Sequence, residues 1–465
     1  MDIGRISGRL VAVAIAIAVA SPIPGLAQTL EQALGQAYRN NETLNGERAS
    51  LRAIDEEVPQ ALSGYRPRVD ATADVGSRYL DETGADGTRQ TSTATPRGVG
   101  LTATQTLFNG FQTANRVRMA ESQVSAGREA LRLMEQTVLL DSVTAYMDVL
   151  RSAGVLELER RNLDVLRQQL DLTRNREVAG NATFTDVAEV QSRLAAAKSE
   201  VLAAQAAYDS SRATFERVIG TEPRNLTAGR PADRFTPSTL DAAVCLALAQ
   251  NPAVTAAMYG ADIALLQTKI SEGALYPMVT LEGSVKRQWD VTPAQFLPYP
   301  GTSTDASIVS RVVVPLYQGG GEYAKIRQSK EAAGQKRLSL EAVRKLARAT
   351  VIQAWSSVSA AKAQIDAAQS RVQAAEIAFD GVRREFGAGQ RGTFELLTLQ
   401  QDLLNARVSL VTAQRERVVT SYTLLAAVGR LSPQALGLAT ELYDPLVHYE
   451  QVRDSWIGVR TPDGR

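Results

Sequence analysis

Apolar positions along the chain switch between two periods, and the switches divide it into elements. Over residues 30–62 the spacing is three to four (Leu30, Ala33, Leu34, Ala37, Leu44, Leu51, Ile54), which predicts a helix, with Pro67 as its stop. From Val69 the period drops to two. Val69, Ala71, Ala73, Val75 and Tyr79 alternate with Asp70, Thr72, Asp74 and Arg78, an amphipathic strand over about 67–80. Residues 81–97 are polar, contain Gly and Pro, and read as an exposed loop. A second alternating strand, about 98–108, puts Val99, Leu101, Ala103 and Leu107 on one face. The next 64 residues, 113–176, lack proline and keep helical spacing. Such a helix would be roughly 96 Å long, far beyond a globular core. Gly180 interrupts it, and residues 185–219 resume as a helix whose alanine pairs permit close helix–helix approach.

After a proline-bearing linker at 220–238, the pattern starts again. Leu240-Asp241 through Gln250-Asn251 echoes Leu30-Glu31 through Asn40-Asn41, and Pro277 follows Pro67 by 210 positions. Val279, Leu281, Val285 and Trp289 copy the alternation, predicting strands over about 277–290 and 307–317. A long helix over about 322–384 and a final one ending near Gly429 complete the copy. The sharpest echo lies at the helix breaks: residues 177–191 (EVAGNATFTDVAEVQ) and 386–400 (FGAGQRGTFELLTLQ) share a glycine, Gly180 and Gly389, 209 positions apart. A constant offset over nearly two hundred residues is a tandem duplication. The chain divides into a first repeat (28–238), a second repeat (239–430) and a tail (431–465).

Composition narrows the function. Arg5 and Arg9 precede the apolar run 10–20, and small residues at Gly25 and Ala27 complete a secretory signal peptide over 1–27. No other stretch has about 18 consecutive apolar residues, so any membrane insertion must use strands. A net charge of +1 offers no bulk field for nucleic acid. One Cys and one His, Cys245 and His448, preclude a disulfide within the chain and leave no cofactor, metal cluster or nucleophile–base set to expect, so an enzyme is the least favoured class. Cys245 lies on an apolar helical face and reads as a small buried hydrophobe.

Four strands with one lipid-like face cannot close a barrel, and hydrocarbon tolerates no unpaired backbone. Closure must come from several identical chains, two giving eight strands and three giving twelve. Tyr79 and Trp289, at matching ends of the first and third strands, suit a membrane-interface aromatic belt. A soluble sandwich with a half-polar sheet is the competing reading, disfavoured by the export signal and the length of the helices.

The chain resembles the TolC family of outer-membrane efflux and secretion proteins over essentially its whole mature length. The resemblance rests on Leu30-x-x-Ala33 with Asn40-Asn41, Leu240-x-x-Ala243 with Asn251-Pro252, Leu316-Tyr317-Gln318-Gly319-Gly320, Phe386-x-x-Gly389 and Ala427-Val428-Gly429-Arg430-Leu431. The tail, with Tyr443-Asp444-Pro445 and Trp456-Ile457-Gly458, looks like the type I secretion branch. The family implies a mainly α fold: a homotrimer whose twelve strands form a transmembrane β-barrel and whose coiled-coil helices continue it as an α-barrel through the periplasm. It implies an outer-membrane, lipid-embedded location and no catalysis. The partners would be a periplasmic adaptor protein and an inner-membrane ABC or proton-driven transporter.

The family further implies a gate at the helix tips. Matched position by position, Asp186 is the linking acid and Arg391 its arginine on the neighbouring chain. Phe386 stands where a tyrosine often bonds that acid, Glu395 falls on the first acidic ring, and Thr398 replaces the acid of the second. A simpler role competes for Asp186, since Thr183-x-x-Asp186 is also a capping-box pattern. Arg391, by contrast, sits at a helix start, where a cation is unfavourable, and so calls for a partner on another chain. Gly180 and Gly389 read as helix C-terminal caps needing positive φ. Two rivals stand beside the channel: a periplasmic coiled-coil adaptor, which would carry one hairpin, and a structural protein without a pore.

Overall fold

The computed structural model describes residues 28–290, 301–462 and 464. The expected signal peptide at 1–27 lies outside the described residues. The first half holds α1 (Leu30–Asn40), α2 (Glu42–Asp55), α3 (Glu57–Leu62), β1 (Arg68–Val75), β2 (Arg78–Thr83), β3 (Arg89–Ala94), β4 (Arg97–Asn109), α4 (Gln112–Val178) and α5 (Phe184–Ile219). The second holds α6 (Leu240–Gln250), α7 (Pro252–Gly273), β5 (Met278–Trp289), β6 (Thr302–Val313), α8 (Gly321–Gly387) and α9 (Thr393–Ala427). Short α10 (Pro433–Leu436) and α11 (Pro445–Val452) come last. Helices α4 and α8 both have 67 residues, roughly 100 Å each.

Both halves enter their long hairpins through the same device. Asn41 ends α1 and caps α2: its Oδ1 accepts from Leu44 N at 3.0 Å, while its Nδ2 donates to the Val218 carbonyl at 3.0 Å. Asn251 repeats this, accepting from Ala253 N at 2.9 Å and donating to the Ala427 carbonyl at 3.0 Å. One amide thereby satisfies a donor at one helix start and an acceptor at another helix end, groups that helices leave unpaired. The extended backbone at Asn41 also splits α1 from α2 within the single helix expected over 30–62, and a second interruption at Glu56, whose backbone stays helical, sets off α3.

The main core lies where α1 and α2 meet α4, with α5 and α9 around them; Leu34, Leu44, Leu139, Phe215, Ile219 and Leu425 are fully buried there. Each such side chain contributes about 1.5–3 kcal/mol. Tyr146 carries a hydroxyl into this core, 2.8 Å from the carbonyls of Gln28 and Thr227. Along the hairpins α4 packs on α5 and α9, and α9 packs on α8. Although equal in length, α4 buries 22 residues and α8 only 8. The apolar residues Leu338, Leu346 and Ile377 of α8 stay in water.

Strands β1-β4-β5-β6 form one antiparallel sheet, and β2-β3 a separate two-stranded ribbon. Register places Val69, Ala71 and Ala73 beside Ala103, Leu101 and Val99, then Val285 and Gly283 beside Ala306 and Ile308. The opposite face carries Asp70, Thr72, Asp74, Thr102, Ser284 and Lys286. There Lys286 pairs with Asp74 at 3.5 Å, and Ser284 and Ser307 share a 3.0 Å hydrogen bond. An extra residue, Leu107, bulges β4 near its helix-side end.

Four expectations need correction. The first strand, expected over about 67–80, ends at Val75, and Arg78–Thr83 is the separate strand β2. The polar stretch expected as a loop is largely strand: β2 and β3 pair from Arg78↔Ala94 to Thr83↔Arg89, closed by a turn at Gly84–Thr88 in which Gly87 has φ +83° and Asp86 Oδ1 accepts from Thr88 N at 3.1 Å. Neither face of that ribbon is buried, so the alternation that marks a strand is absent from its sequence. The last strand runs 302–313, not 307–317; its polar start hid it, and Pro315 removes Leu316 and Tyr317 from it. Cys245, expected buried, is exposed. The run Leu240–Gly273 is, among the described residues, apolar and long enough to cross a bilayer. Asn251 breaks it into α6 and α7, and α7 packs against α4 and α8.

Candidate functional site

The two hairpin tips share a backbone. At α4–α5, Gly180 N donates to the Glu177 carbonyl at 2.9 Å and Asn181 N to the Arg176 carbonyl at 2.7 Å; at α8–α9, Gly389 N donates to Phe386 at 3.1 Å and Gln390 N to Glu385 at 2.9 Å. Both glycines sit near φ +78°. These paired bonds close the last turn of each long helix, and only glycine adopts that φ without strain.

The side chains at the two tips are wired differently. At the first, Thr183 Oγ1 accepts from Asp186 N at 3.2 Å, and Asp186 Oδ2 accepts from Thr183 N at 2.9 Å and from its hydroxyl at 2.7 Å. These bonds to the charged form hold the Asp186 carboxyl below the ordinary aspartate range; the Thr393 hydroxyl and the Arg176 charge add to the effect. Thr393 begins α9, so the environment of Asp186 includes a group from the second tip of the same chain.

At the second tip, Gly392 precedes α9 and offers no side-chain cap. Arg391 lies between two carboxylates instead, 2.9 Å from Glu385 and 3.2 Å from Glu395. Its helix-start position calls for a partner on another chain, yet it has two on its own. Glu395 is therefore not a bare carboxylate, and Thr398 turns its hydroxyl back to the Phe394 carbonyl at 2.8 Å, as a helix-interior threonine does. Phe386, which lacks the hydroxyl of the expected tyrosine, receives the Arg176 guanidinium over its ring at 4.4 Å. Sequence pattern does not single out Arg176, Glu385 or Thr393. Each acts across a turn or between hairpins, at spacings no helical period marks.

Between α4 and α8, over α9, these tips open into a groove of about 830 Å³. Arg161, Arg176, Arg383 and Arg407 line it with Phe379 and Phe386, and no carboxylate does. Gln400, from the shared tip motif, closes its floor by donating to Asn162 Oδ1 at 2.8 Å. Among the described residues no group of three or more His, Cys, Asp or Glu gathers as a metal site.

The sheet supplies the other half of the site. Trp289 ends β5 on the apolar face, beside Arg97 and Thr302 at the rim far from the helices. Tyr79 is not its counterpart: it pairs with Thr93 in the β2–β3 ribbon, beyond the break at Gly76. At the helix-side rim four exposed aromatics, Tyr65, Phe111, Tyr276 and Tyr317, each flank one strand of the sheet. Phe111 stacks edge-on with Phe108 and Tyr276, at 5.2 and 6.5 Å. An apolar band with aromatic rims is the pattern of a sheet face meeting lipid.

A profile of the family described as "Outer membrane efflux protein" matches residues 33–221 and 243–430. The chain belongs to this TolC-like family. The outer membrane efflux protein BepC of Brucella suis biovar 1 (strain 1330) is 39% identical over 440 residues, which cover 95% of this chain and 94% of BepC. The outer membrane protein TolC of Escherichia coli (strain K12) is 23% identical over 88% of this chain and 84% of its own. The Campylobacter jejuni CmeC outer membrane channel superposes with a TM-score of 0.78 over 91% of this chain and 89% of CmeC, at 14% identity, a likeness of fold. As an outer membrane efflux protein, the chain resides in the outer membrane and extends into the periplasm. Membership sets aside the adaptor and the poreless structural protein.

Proposed function

We propose that three copies of this chain form a channel-tunnel that carries substrates from an inner-membrane transporter across the periplasm and the outer membrane. One observation carries this reading: a four-stranded sheet with one largely apolar face and, among the described residues, two unpaired edges, β1 and β6. Neither edge can stay open in lipid. Pairing β1 of one copy with β6 of the next closes a twelve-stranded barrel, which puts Asp70, Asp74 and Lys286 toward its water-filled interior. The under-buried α8 then finds its missing partner on a neighbouring copy. Outer-membrane fractions should yield an SDS-resistant oligomer three chains in size that conducts in planar bilayers; a soluble monomer would overturn the proposal.

The tips act as the gate in this reading. The Arg176–Phe386 stack and the Asp186–Thr393 contact hold the two hairpins of one copy together, while Arg391 latches against Asp186 of the next. The latch competes with Glu385 and Glu395, so it is an exchange among exposed carboxylates and individually weak. Arg391→Ser should raise single-channel conductance. It should also raise preference for cations, because Glu385 and Glu395 lose their counter-charge; unchanged conductance would remove Arg391 from the gate. Glu395→Ala should weaken block by divalent cations.

The arginine-lined groove between α4 and α8 is the surface we assign to a periplasmic adaptor, whose contacting helix would present acidic and apolar residues. Trp289 and the helix-side aromatics mark the two membrane interfaces. The tail motif around Tyr443 and Trp456 supports the type I secretion branch, and crosslinking the trimer to an ABC transporter rather than a proton-driven one would confirm that choice.

A further inference from the structure

The channel reading leaves the C-terminal tail without a role, yet the tail is tightly fastened. Arg48 lies between the Tyr38 and Tyr443 rings, 4.5 and 5.1 Å from their centres. His448 Nδ1 lies 3.0 Å from the buried Asp55 Oδ2, and Arg128 covers Tyr449 at 4.9 Å. These contacts lead the tail along α2 and α4 toward the sheet. At the end Arg66 donates to the Ser455 carbonyl at 2.6 Å and covers the Trp456 ring at 4.6 Å. Arg66 stands two residues before β1, beside Tyr65, whose carbonyl accepts from Gln105 of β4 at 2.8 Å. Trp456 is thereby fixed beside the helix-side end of β1.

The residues at and beyond that anchor point form an unusual surface for water. Trp456 is 68% exposed, Ile457 93% and Val459 99%. Arg66 covers Trp456, Arg453 and Arg460 flank the segment along the chain, and Asp454 is the sole acid within residues 453–460. Large apolar side chains flanked by arginines, held beside the start of β1, match the interfacial layer of a bilayer rather than either water or hydrocarbon. Arginine stems lie on apolar surface while their guanidinium groups reach phosphate.

We infer that residues 455–460 are an interfacial anchor, seated in the phospholipid leaflet that faces the helices, with Trp456, Ile457 and Val459 among acyl chains and the arginines on lipid phosphates. The inference rests on the outer-membrane channel reading, so its test must separate the two. The chain has three tryptophans, Trp289, Trp355 and Trp456. Two single-tryptophan proteins, one with W355F and W456F and the other with W289F and W355F, are reconstituted as oligomers into phosphatidylethanolamine–phosphatidylglycerol vesicles with and without brominated acyl chains.

Both tryptophans should lose about half their emission to brominated lipid, as interfacial aromatics do, and Trp456 should resist aqueous iodide. If Trp289 is quenched by lipid while Trp456 answers only to iodide, the anchor is wrong and the barrel stands. If Trp456 is shielded from both quenchers, a neighbouring copy covers it, which also overturns the anchor. If neither tryptophan meets lipid, the channel reading fails as well. In the protein carrying W289F and W355F, Arg66→Ala should leave conductance unchanged relative to that parent but raise iodide quenching of Trp456 emission; no change would remove Arg66 as the residue that positions it.

Discussion

The two repeats agree at one end and diverge at the other. Where each enters its long hairpin, Asn41 and Asn251 make the same two kinds of hydrogen bond, a cap to the helix that follows and a donation to a distant helix end, at distances within 0.1 Å. At the tips the backbone turn is again common to both, but one tip caps itself with Thr183 and Asp186 while the other holds Arg391 between Glu385 and Glu395. The difference tracks burial. The asparagines sit at the packed end, where an unpaired helix carbonyl is costly, so duplication preserves their chemistry. The tips are in water, where exposed side chains cost little to change, and they are free to become unequal partners in a gate.

The largest test of this contrast uses glycines of one conformation. Gly429 has φ +85°, and a Cβ there would lie 2.7 Å from both the Asn251 Cα and the Gln250 carbonyl oxygen, whereas a Cβ at Gly180, φ +78°, meets nothing within 4 Å. Gly429→Ala combines left-handed strain, about 1–2 kcal/mol, with overpacking of about 1–3 kcal/mol. Gly180→Ala carries the strain alone. Thermal melts of the helical circular-dichroism signal should therefore fall much further for Gly429→Ala; equal losses would break the distinction between packed end and tip.

Asn41→Ala and Asn251→Ala come next. Each removes a cap, for about 1–2 kcal/mol, and leaves a helix carbonyl unpaired. Their denaturation midpoints should shift alike, and a large inequality between them would show that the two asparagine joints are not equivalent.

The smallest effects belong to the tips. Thr183→Ala should cost about 1 kcal/mol and Gly392→Ser should gain only a few tenths, both read by amide exchange in the first turns of α5 and α9. For Asp186 the pH dependence has a definite sign. Its carboxyl is lowered from 3.8 in the folded protein, so the stabilisation is fully present above that value and is lost as pH falls through the lower one. Protection of the Thr183 amide should hold constant from neutral pH down to about pH 5 and decline below about pH 4. A decline already near neutrality would mean that another group governs this tip.

Much of the fold is legible because it is periodic. The expected 113–176 helix is α4, Gln112–Val178, and the alternation at Val69–Val75 and Val99–Ala103 is the face that the sheet register brings together. Elements whose two sides meet the same environment leave no such trace. The β2–β3 ribbon and the start of β6 are wet on both faces, and for that reason their sequences carry no strand signal. The breaks at Asn41 and Glu56 fall inside a continuous helical period; the first is marked by the Asn41 cap, and the second has no side-chain cap to mark it.

Local chemistry by itself determined the glycine turns, the Thr183–Asp186 cap and the apolar and polar faces of the strands. Each depends on residues within one turn or one pleat. Tertiary structure alone decided that Arg391 is shared by Glu385 and Glu395, that Arg176 covers Phe386, and that Arg66 fixes Trp456 beside β1. Apart from the Arg391–Glu395 pair, which spans one helical turn, these are contacts across a reversal of the chain or between segments up to 390 positions apart. Periodicity reports which face of an element is buried; it carries no record of which element lies against it.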